Sequence, residues 1–451
     1  MRYLWVDSLC IVQGDDDDWL QESAQMRLIY SNSHLTIAAH KPASCKLGFL
    51  GNQKFGKDSW QRSFRTKWHG CGPEGKMFVR VLNLSDTKLN SSLEKRGWTA
   101  QEGILPTRVL HFTGNEMAWE CNNRCVCECG HLESPSALPL LKSTFRGKDG
   151  PEFLNEPFRE AWARVIQAYS SRRLKKNTDK LIAISGIAQT VNSSRKALHE
   201  LETGSRPGVR LTYLAGMWLE GFPSLLLWQV KGRGGNFQHT RIYPTPTWSW
   251  ASIDGPVEYR EGILMRRFTS KENSYIIISE YQCDPESSSD PMGSVKGGYL
   301  VLTGLLAPVQ LVTTKLSEPN PWGVRDGWRG LATYVRGEDL KSYQISSDLP
   351  GDVSLTRGDL AYECWTGGRC RLLRNKCAYC HFKKSEAHFY CLKVASYFDF
   401  PDKLLFYLVL KRSSTVQGAY ERFGIGMSYS DSNDPVISFF DNAETVTIKL
   451  V

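Results

Sequence analysis

The spacing of apolar positions changes character several times along the chain. Residues 3–13, Tyr-Leu-Trp-Val-Asp-Ser-Leu-Cys-Ile-Val-Gln, carry a β-strand pattern centred on Leu4-Trp5-Val6. Trp19–Tyr30 then sets Leu20, Ala24, Met26, Leu28 and Ile29 at helical spacing, with Asp17 or Asp18 as the expected N-cap. Leu35–Ala39 reads as a second strand. Strand, helix and strand in this order predict a right-handed crossover and a parallel sheet. Further on, Lys76–Leu82 reads as a strand and Arg96–Glu102 opens a helix. Val109–Phe112 and Met117–Cys121 alternate as a hairpin turned at Thr113–Asn115.

From Pro151 to Trp228 the period becomes helical. Phe158, Ala161, Trp162, Val165, Ile166 and Tyr169 form one apolar stripe, and Leu181, Ile184 and Ala188 a second. Leu211, Leu214, Ala215 and Trp218 form a third. After Pro244 strands dominate, most clearly Trp248–Ser252, Ser274–Glu280, Leu300–Leu311, Leu404–Leu410 and Val446–Leu450. Asp284–Ser294 and Ser317–Trp328 read as turn-rich loops. The expected organisation is therefore an α/β domain over 1–130, a helical region over 150–230 and a β-rich region over 240–451.

Composition narrows the function classes. With 451 residues the chain holds two or three domains, and 14 Trp, 18 Tyr and 19 Phe argue for folded structure over most of it. A net charge of +9 is mild at this length and gives no argument for nucleic acid as a partner. The longest apolar candidate, Tyr299 to Thr314, is broken by Gly304, Pro308 and Gln310, so no membrane span is expected. Asp7 interrupts the first apolar run before it could serve as a secretory signal, which leaves a cytoplasmic protein with reduced cysteines as the expectation. No G-x-x-x-x-G-K-[ST], H-E-x-x-H or G-x-S-x-G motif occurs.

Several blocks, taken in order, resemble the fungal heterokaryon incompatibility (HET) family. They are Leu4–Gln13; Glu22, Met26, Ile29 and Tyr30 followed by Leu35–Ala39 and Gly48-Phe-Leu50; Arg96-Gly-Trp-Thr-Ala-Gln-Glu102 with Leu105, Arg108 and Leu110; and Trp119-Glu-Cys121. Ala100 stands where the family usually has Leu. Trp162, Asp179-Lys-Leu181, Ala215-Gly216, Leu227-Trp228, Pro246–Ser252 and Tyr420–Gly426 resemble the region that commonly follows the domain. The family usually opens with a Ser-Tyr-x-Trp-Gly strand and a long helix that this chain lacks, so an N-terminally truncated domain is expected. The resemblance implies a Rossmann-like, TIR-related parallel sheet.

The candidate site residues each have a bland counterpart. Asp7, flanked by Ser8, falls at the end of the expected first strand, where parallel sheets collect ligand-binding groups; the alternative is a turn cap. Glu22 and Glu102 are candidate catalytic carboxylates, because a helix-borne Glu serves in TIR relatives that cleave the nicotinamide–ribose bond of NAD. A carboxylate there stabilises oxocarbenium-like charge and activates the nucleophile. Arg96 suits a phosphate and Trp98 a stacking role; the alternatives are a structural Arg–Glu pair and a core Trp. Asp15–Asp18 reads as a solvated helix start rather than a cation loop. Two cysteine clusters could take zinc, Cys121, Cys125, Cys127, Cys129 with His131, and a Cys-rich insertion over 364–391 with Cys364, Cys370, Cys377, Cys380, His381, His388 and Cys391. Zinc is not favoured at either, and no metal ligand is assigned.

The resemblance implies an effector of fungal non-self recognition and programmed cell death. Its expected partners are other incompatibility proteins or a second copy of itself. NAD is the expected nucleotide, bound or cleaved. The alternatives are a non-enzymatic interaction module or inactive remnant, and a zinc-binding regulator.

Overall fold

A computed structural model of the chain describes residues 2–40, 46, 48–50, 62–66, 75–79, 91–113, 117–122, 124–128, 157–203, 211–231, 244–259, 274–315, 331–336, 342–347, 389–399, 402–430, 440 and 443–451. The chain divides into two compact units, Met1–Lys148 with Arg172–Leu174, and Asp149–Ser171 with Lys175–Val451.

In the first unit, residues 2–6 lie outside every described strand, and α1 (Asp7–Cys10) follows them directly. This corrects the strand expected over 3–13. Val6 is extended, yet its carbonyl accepts from the N–H groups of Leu9 and Cys10 at 3.0 and 2.9 Å, closing a helical turn. Asp7 favours the turn, because its Oδ1 accepts the N–H of Ser8 at 2.7 Å. Short polar side chains offer such local bonds in competition with sheet pairing. The apolar residues Tyr3, Leu4 and Leu9 consequently stay 80–93% exposed.

Helix α2 (Asp16–Asn32) is capped by Asp15, not by Asp17 or Asp18 as the sequence suggests. Asp15 Oδ1 accepts the N–H groups of Asp17 and Asp18 at 3.0 Å each, a cap that stabilises a helix by about 1 kcal/mol. Asp18 instead accepts the Val12 N–H at 2.7 Å, which ties the preceding turn to the helix. The chain continues through β1 (Thr36–Ala39), β2 (Arg62–Thr66), β3 (Gly75–Val79), α3 (Thr99–Ile104), β4 (Arg108–Phe112), β5 (Met117–Cys121) and β6 (Cys125–Cys127). Strands β1-β4-β5-β6 make one sheet, parallel between β1 and β4 and antiparallel beyond, while β2 and β3 form a separate hairpin. The parallel partner of β1 is thus β4 rather than Leu4–Val6. The alternation of β4 to β6 buries Val109, His111, Ala118, Glu120, Cys125 and Cys127.

The second unit opens with α4 (Pro157–Ser170) and α5 (Ile182–Thr203), joined through a 3-10 turn at Asn177–Lys180. Their two stripes are buried as the periodicity predicts. The third stripe is corrected. Tyr213–Leu214 (β7) and Met217–Trp218 (β8) form a tight hairpin, turned through Ala215 and Gly216 at φ 44° and 93°. Positive φ at both central residues ends any helix and suits a two-residue hairpin turn. Trp248–Ser252 is also not a strand, since Ser249 caps a 3-10 turn at Trp250–Ser252.

The remaining strands are β9 (Gln229–Val230), β10 (Val257–Glu258), β11 (Ile277–Pro285), β12 (Val295–Lys315), β13 (Leu331–Arg336) and β14 (Ser342–Ser347). They continue with β15 (Phe389–Asp399), β16 (Asp402–Arg412), β17 (Tyr420–Ser430) and β18 (Glu444–Leu450). Strands β11 to β18 form a single sheet around β12, which pairs antiparallel with β11, β13, β15 and β18. The chain as a whole is mixed α/β with a β-rich C-terminal region. Among the described residues, no helix is long and apolar enough to cross a membrane.

Blocks far apart in the sequence converge on a buried tryptophan core here. Trp162 and Trp250 both donate their indole N–H to the Gly216 carbonyl at 3.0 Å, and Ser249 donates to the Ala215 carbonyl at 2.6 Å. The guanidinium of Arg422 lies 3.5 Å from the Trp228 ring centroid and donates to the carbonyls of Leu226 and Trp228. A Cβ at Gly216 would lie 2.8 Å from Trp250 Nε1 and 3.1 Å from Leu181 Cδ2. Gly216→Ala should therefore destabilise the second unit by about 2–4 kcal/mol in denaturant titration. Gly418→Ala, at φ +77° with nothing within 4 Å of the added carbon, should lose only about 1 kcal/mol.

Candidate functional site

Three of the six residues singled out from the sequence come together with one that was not. Asp7 opens α1, and its Oδ2 lies 3.8 Å from Arg96 Nη2. The two side chains are 44% and 59% exposed, so this contact contributes little stability. It leaves Arg96 accessible to an anion. Glu102 stands in the first turn of α3, half-buried, and Tyr30 near the end of α2 hydrogen-bonds its carboxyl.

The carboxyl of Glu102 is pushed up to about 7. Desolvation is the largest cause; Asp7 adds to it, while Arg96, the Tyr30 hydrogen bond and Arg172 oppose it. The Tyr30 hydroxyl is raised in turn, by burial first and then by the negative charges of Glu102 and Asp7. A carboxyl balanced in this way exchanges its proton around neutrality, which is what general acid–base chemistry requires.

The loop that carries Arg96 is held from a distant part of the chain. Gly97 N–H donates to the Arg173 carbonyl at 2.8 Å, and Arg173 N–H donates to the Lys95 carbonyl at 2.6 Å. A Cβ on Gly97 would lie 2.3 Å from Leu174 Cδ2, so this close approach requires glycine. Arg172 pairs with Glu94 and donates to Thr99 Oγ1 at 2.7 Å and to the Arg96 carbonyl at 3.3 Å. Thr99 Oγ1 contacts the carbonyls of Leu93 and Arg96 at 2.7 Å each.

The other candidates fall around this group or away from it. Trp98 packs edge-on to Trp19 with centroids 5.7 Å apart, and Trp5 meets Tyr30 in the same way at 5.6 Å. Ser8 donates its backbone N–H to Asp7, with its own residue exposed. Glu22 lies on α2, where its Oε1 is 3.5 Å from Gln25 Nε2, and it is not among the groups that shift Glu102. Sequence reasoning missed Tyr30 as a site residue and Arg172 altogether. Tyr30 could have been noticed, because it sits in the same resemblance block as Glu22; nothing local marks Arg172.

Of the first cysteine cluster, Cys121, Cys125 and Cys127 are described, while Cys129 and His131 lie outside the described residues. Of the cysteines and histidines in the 364–391 insertion only Cys391 is described; it is fully buried and burial pushes its thiol up. Among the described residues no group of three or more His, Cys, Asp or Glu is placed to hold a metal ion.

The first unit is thus an α/β unit with a half-buried carboxyl beside an accessible arginine. Residues 1–102 match the family model described as heterokaryon incompatibility protein (HET), the family that their motifs resemble. The match ends on Glu102 itself. No curated protein and no solved structure matches the chain.

The raised carboxyl has a stability consequence with a definite sign. Between its ordinary value of 4.5 and about 7, the folded unit holds a proton that the unfolded chain releases. Stability therefore falls as pH rises through that interval and levels off above it, by at most about 3 kcal/mol. Thermal unfolding at pH 5 and pH 8 should show this loss in the parent protein and a flatter dependence in Glu102→Gln.

Proposed function

We propose that the N-terminal segment acts as a heterokaryon incompatibility domain, an effector of fungal non-self recognition and programmed cell death in the cytoplasm. Its Rossmann-like, TIR-related unit would bind or cleave a nucleotide such as NAD. The observation that supports this is the Glu102 carboxyl held near neutrality within the field of Arg96. When the nicotinamide–ribose bond breaks, the leaving base takes the bonding electrons and the ribose gains oxocarbenium character. Glu102 in its ionised form stabilises that charge and accepts a proton from the attacking water. Arg96 meets the phosphates, and Asp7 with the Ser8 backbone shapes the entrance.

Purified protein incubated with NAD should release free nicotinamide, with a rate that rises as pH increases through about 7. Glu102→Gln should lower the rate by about 10²-fold or more. Glu22→Gln measures the other candidate and should have the smaller effect. No nicotinamide from the folded parent protein would overturn the catalytic reading.

A second reading, a non-enzymatic interaction module, is favoured by the exposed apolar side chains of Tyr3, Leu4 and Leu9. Its partners would be other incompatibility proteins or a second copy. Overexpression separates the two readings. If Glu102→Gln and Glu22→Gln kill cells as well as the parent, the carboxylates are dispensable and association is the active principle.

A further inference from the structure

Four buried side chains of the first unit form one hydrogen-bonded chain that the Glu102 site does not use. Ser91 Oγ lies 3.0 Å from His40 Nδ1, and His40 Nε2 lies 2.9 Å from His111 Nδ1. His111 Nε2 lies 3.1 Å from Glu120 Oε2. The two imidazole planes are inclined by 27° with centroids 5.1 Å apart, so the rings meet end to end through their nitrogens. Each member comes from a different place in the unit: the turn before α3, the residue after β1, β4 and β5. Exposure falls along the chain, from 8% at Ser91 through 4% at both histidines to 1% at Glu120.

With Glu120 ionised, one direction of donation satisfies all three contacts. His111 donates Nε2–H to Glu120, His40 donates Nε2–H to His111 Nδ1, and Ser91 donates its hydroxyl proton to His40 Nδ1. A hydroxyl at the outer end, a base behind it and a buried carboxylate orienting that base are the parts of an activated nucleophile. The Glu94 N–H donates to Ser91 Oγ at 3.1 Å, which fixes the position of the hydroxyl in its turn.

We propose that Ser91 is a nucleophile for acyl transfer, acting on an ester or thioester, with His40 as its base and His111 and Glu120 as positioning residues. Ser91 Oγ attacks the carbonyl carbon while its proton passes to His40 Nδ1. The resulting imidazolium is stabilised through His111 by Glu120. The C–O or C–S bond then breaks, and the leaving alkoxide or thiolate takes the proton from His40. Water, deprotonated by His40, attacks the acyl-enzyme, releases the carboxylic acid and restores the serine.

A fluorophosphonate probe tests this directly, since attack forms the Oγ–P bond and expels fluoride. Peptide mass spectrometry of the treated full-length protein should find the adduct on Ser91. Ser91→Ala should abolish it, and His40→Gln should slow it by about 10²-fold or more. The adduct is read on Ser91 without NAD, and nicotinamide release is read without the probe, so failure of this proposal and failure of the nucleotide reading are told apart. Absence of an adduct on Ser91 in the folded parent overturns the proposal, an outcome that needs no variant to fold. Parental labelling in a folded His40→Gln variant also overturns it.

Discussion

Taking charge out of water is the constraint that organises both units. A buried ion must be paired, hydrogen-bonded or neutralised. Arg422 shows the hydrogen-bonded solution, with its guanidinium over the Trp228 ring and its N–H groups on two carbonyls. Lys180 shows a partial one. It donates to the Ile253 carbonyl beside Trp250, yet burial still lowers its ammonium to about 8. Glu102 differs from both. Its cationic neighbour Arg96 is spent partly on Asp7 and remains accessible, so desolvation wins and the carboxyl keeps a proton near neutrality. Arg422 is answered by fixed partners and Lys180 in part; at Glu102 the answer is incomplete and an accessible cation stands beside it.

Much of this architecture is legible in the sequence, and the exceptions have physical causes. The stripe from Phe158 to Tyr169 and the alternation of Val109–Phe112 against Met117–Cys121 are strongly periodic, and the elements fall where the period puts them. Leu4–Val6 is a short apolar run of the kind that periodicity alone cannot assign. The bond between Asp7 and the Ser8 N–H decides it toward a helical turn. Leu211–Trp218 fits a helical stripe, but Ala215-Gly216 adopts positive φ and folds it into a hairpin. Asp7, Arg96 and Glu102 stand out through their motifs. Tyr30 and Arg172 join them only through tertiary contacts, and no residue spacing encodes those.

The two candidate sites share one scaffold. The Arg172 segment clamps the turn from Glu94 to Thr99, which lies between Ser91 at the outer end of the buried relay and Glu102 on α3. That turn owes its path to Gly97, where any side chain would strike Leu174. A single short stretch thus positions the hydroxyl of one site and the guanidinium of the other.

The most direct test is titration of the Glu102 side chain by NMR, with the carboxyl carbons of glutamate labelled and the signal assigned through Glu102→Gln. The account predicts a midpoint at about 7, moving upward when Arg96 is replaced by Gln, because its cation holds the carboxyl down. A midpoint near the ordinary value of 4.5 would contradict it, since the carboxyl would then be solvated and the site no different from a surface ion pair.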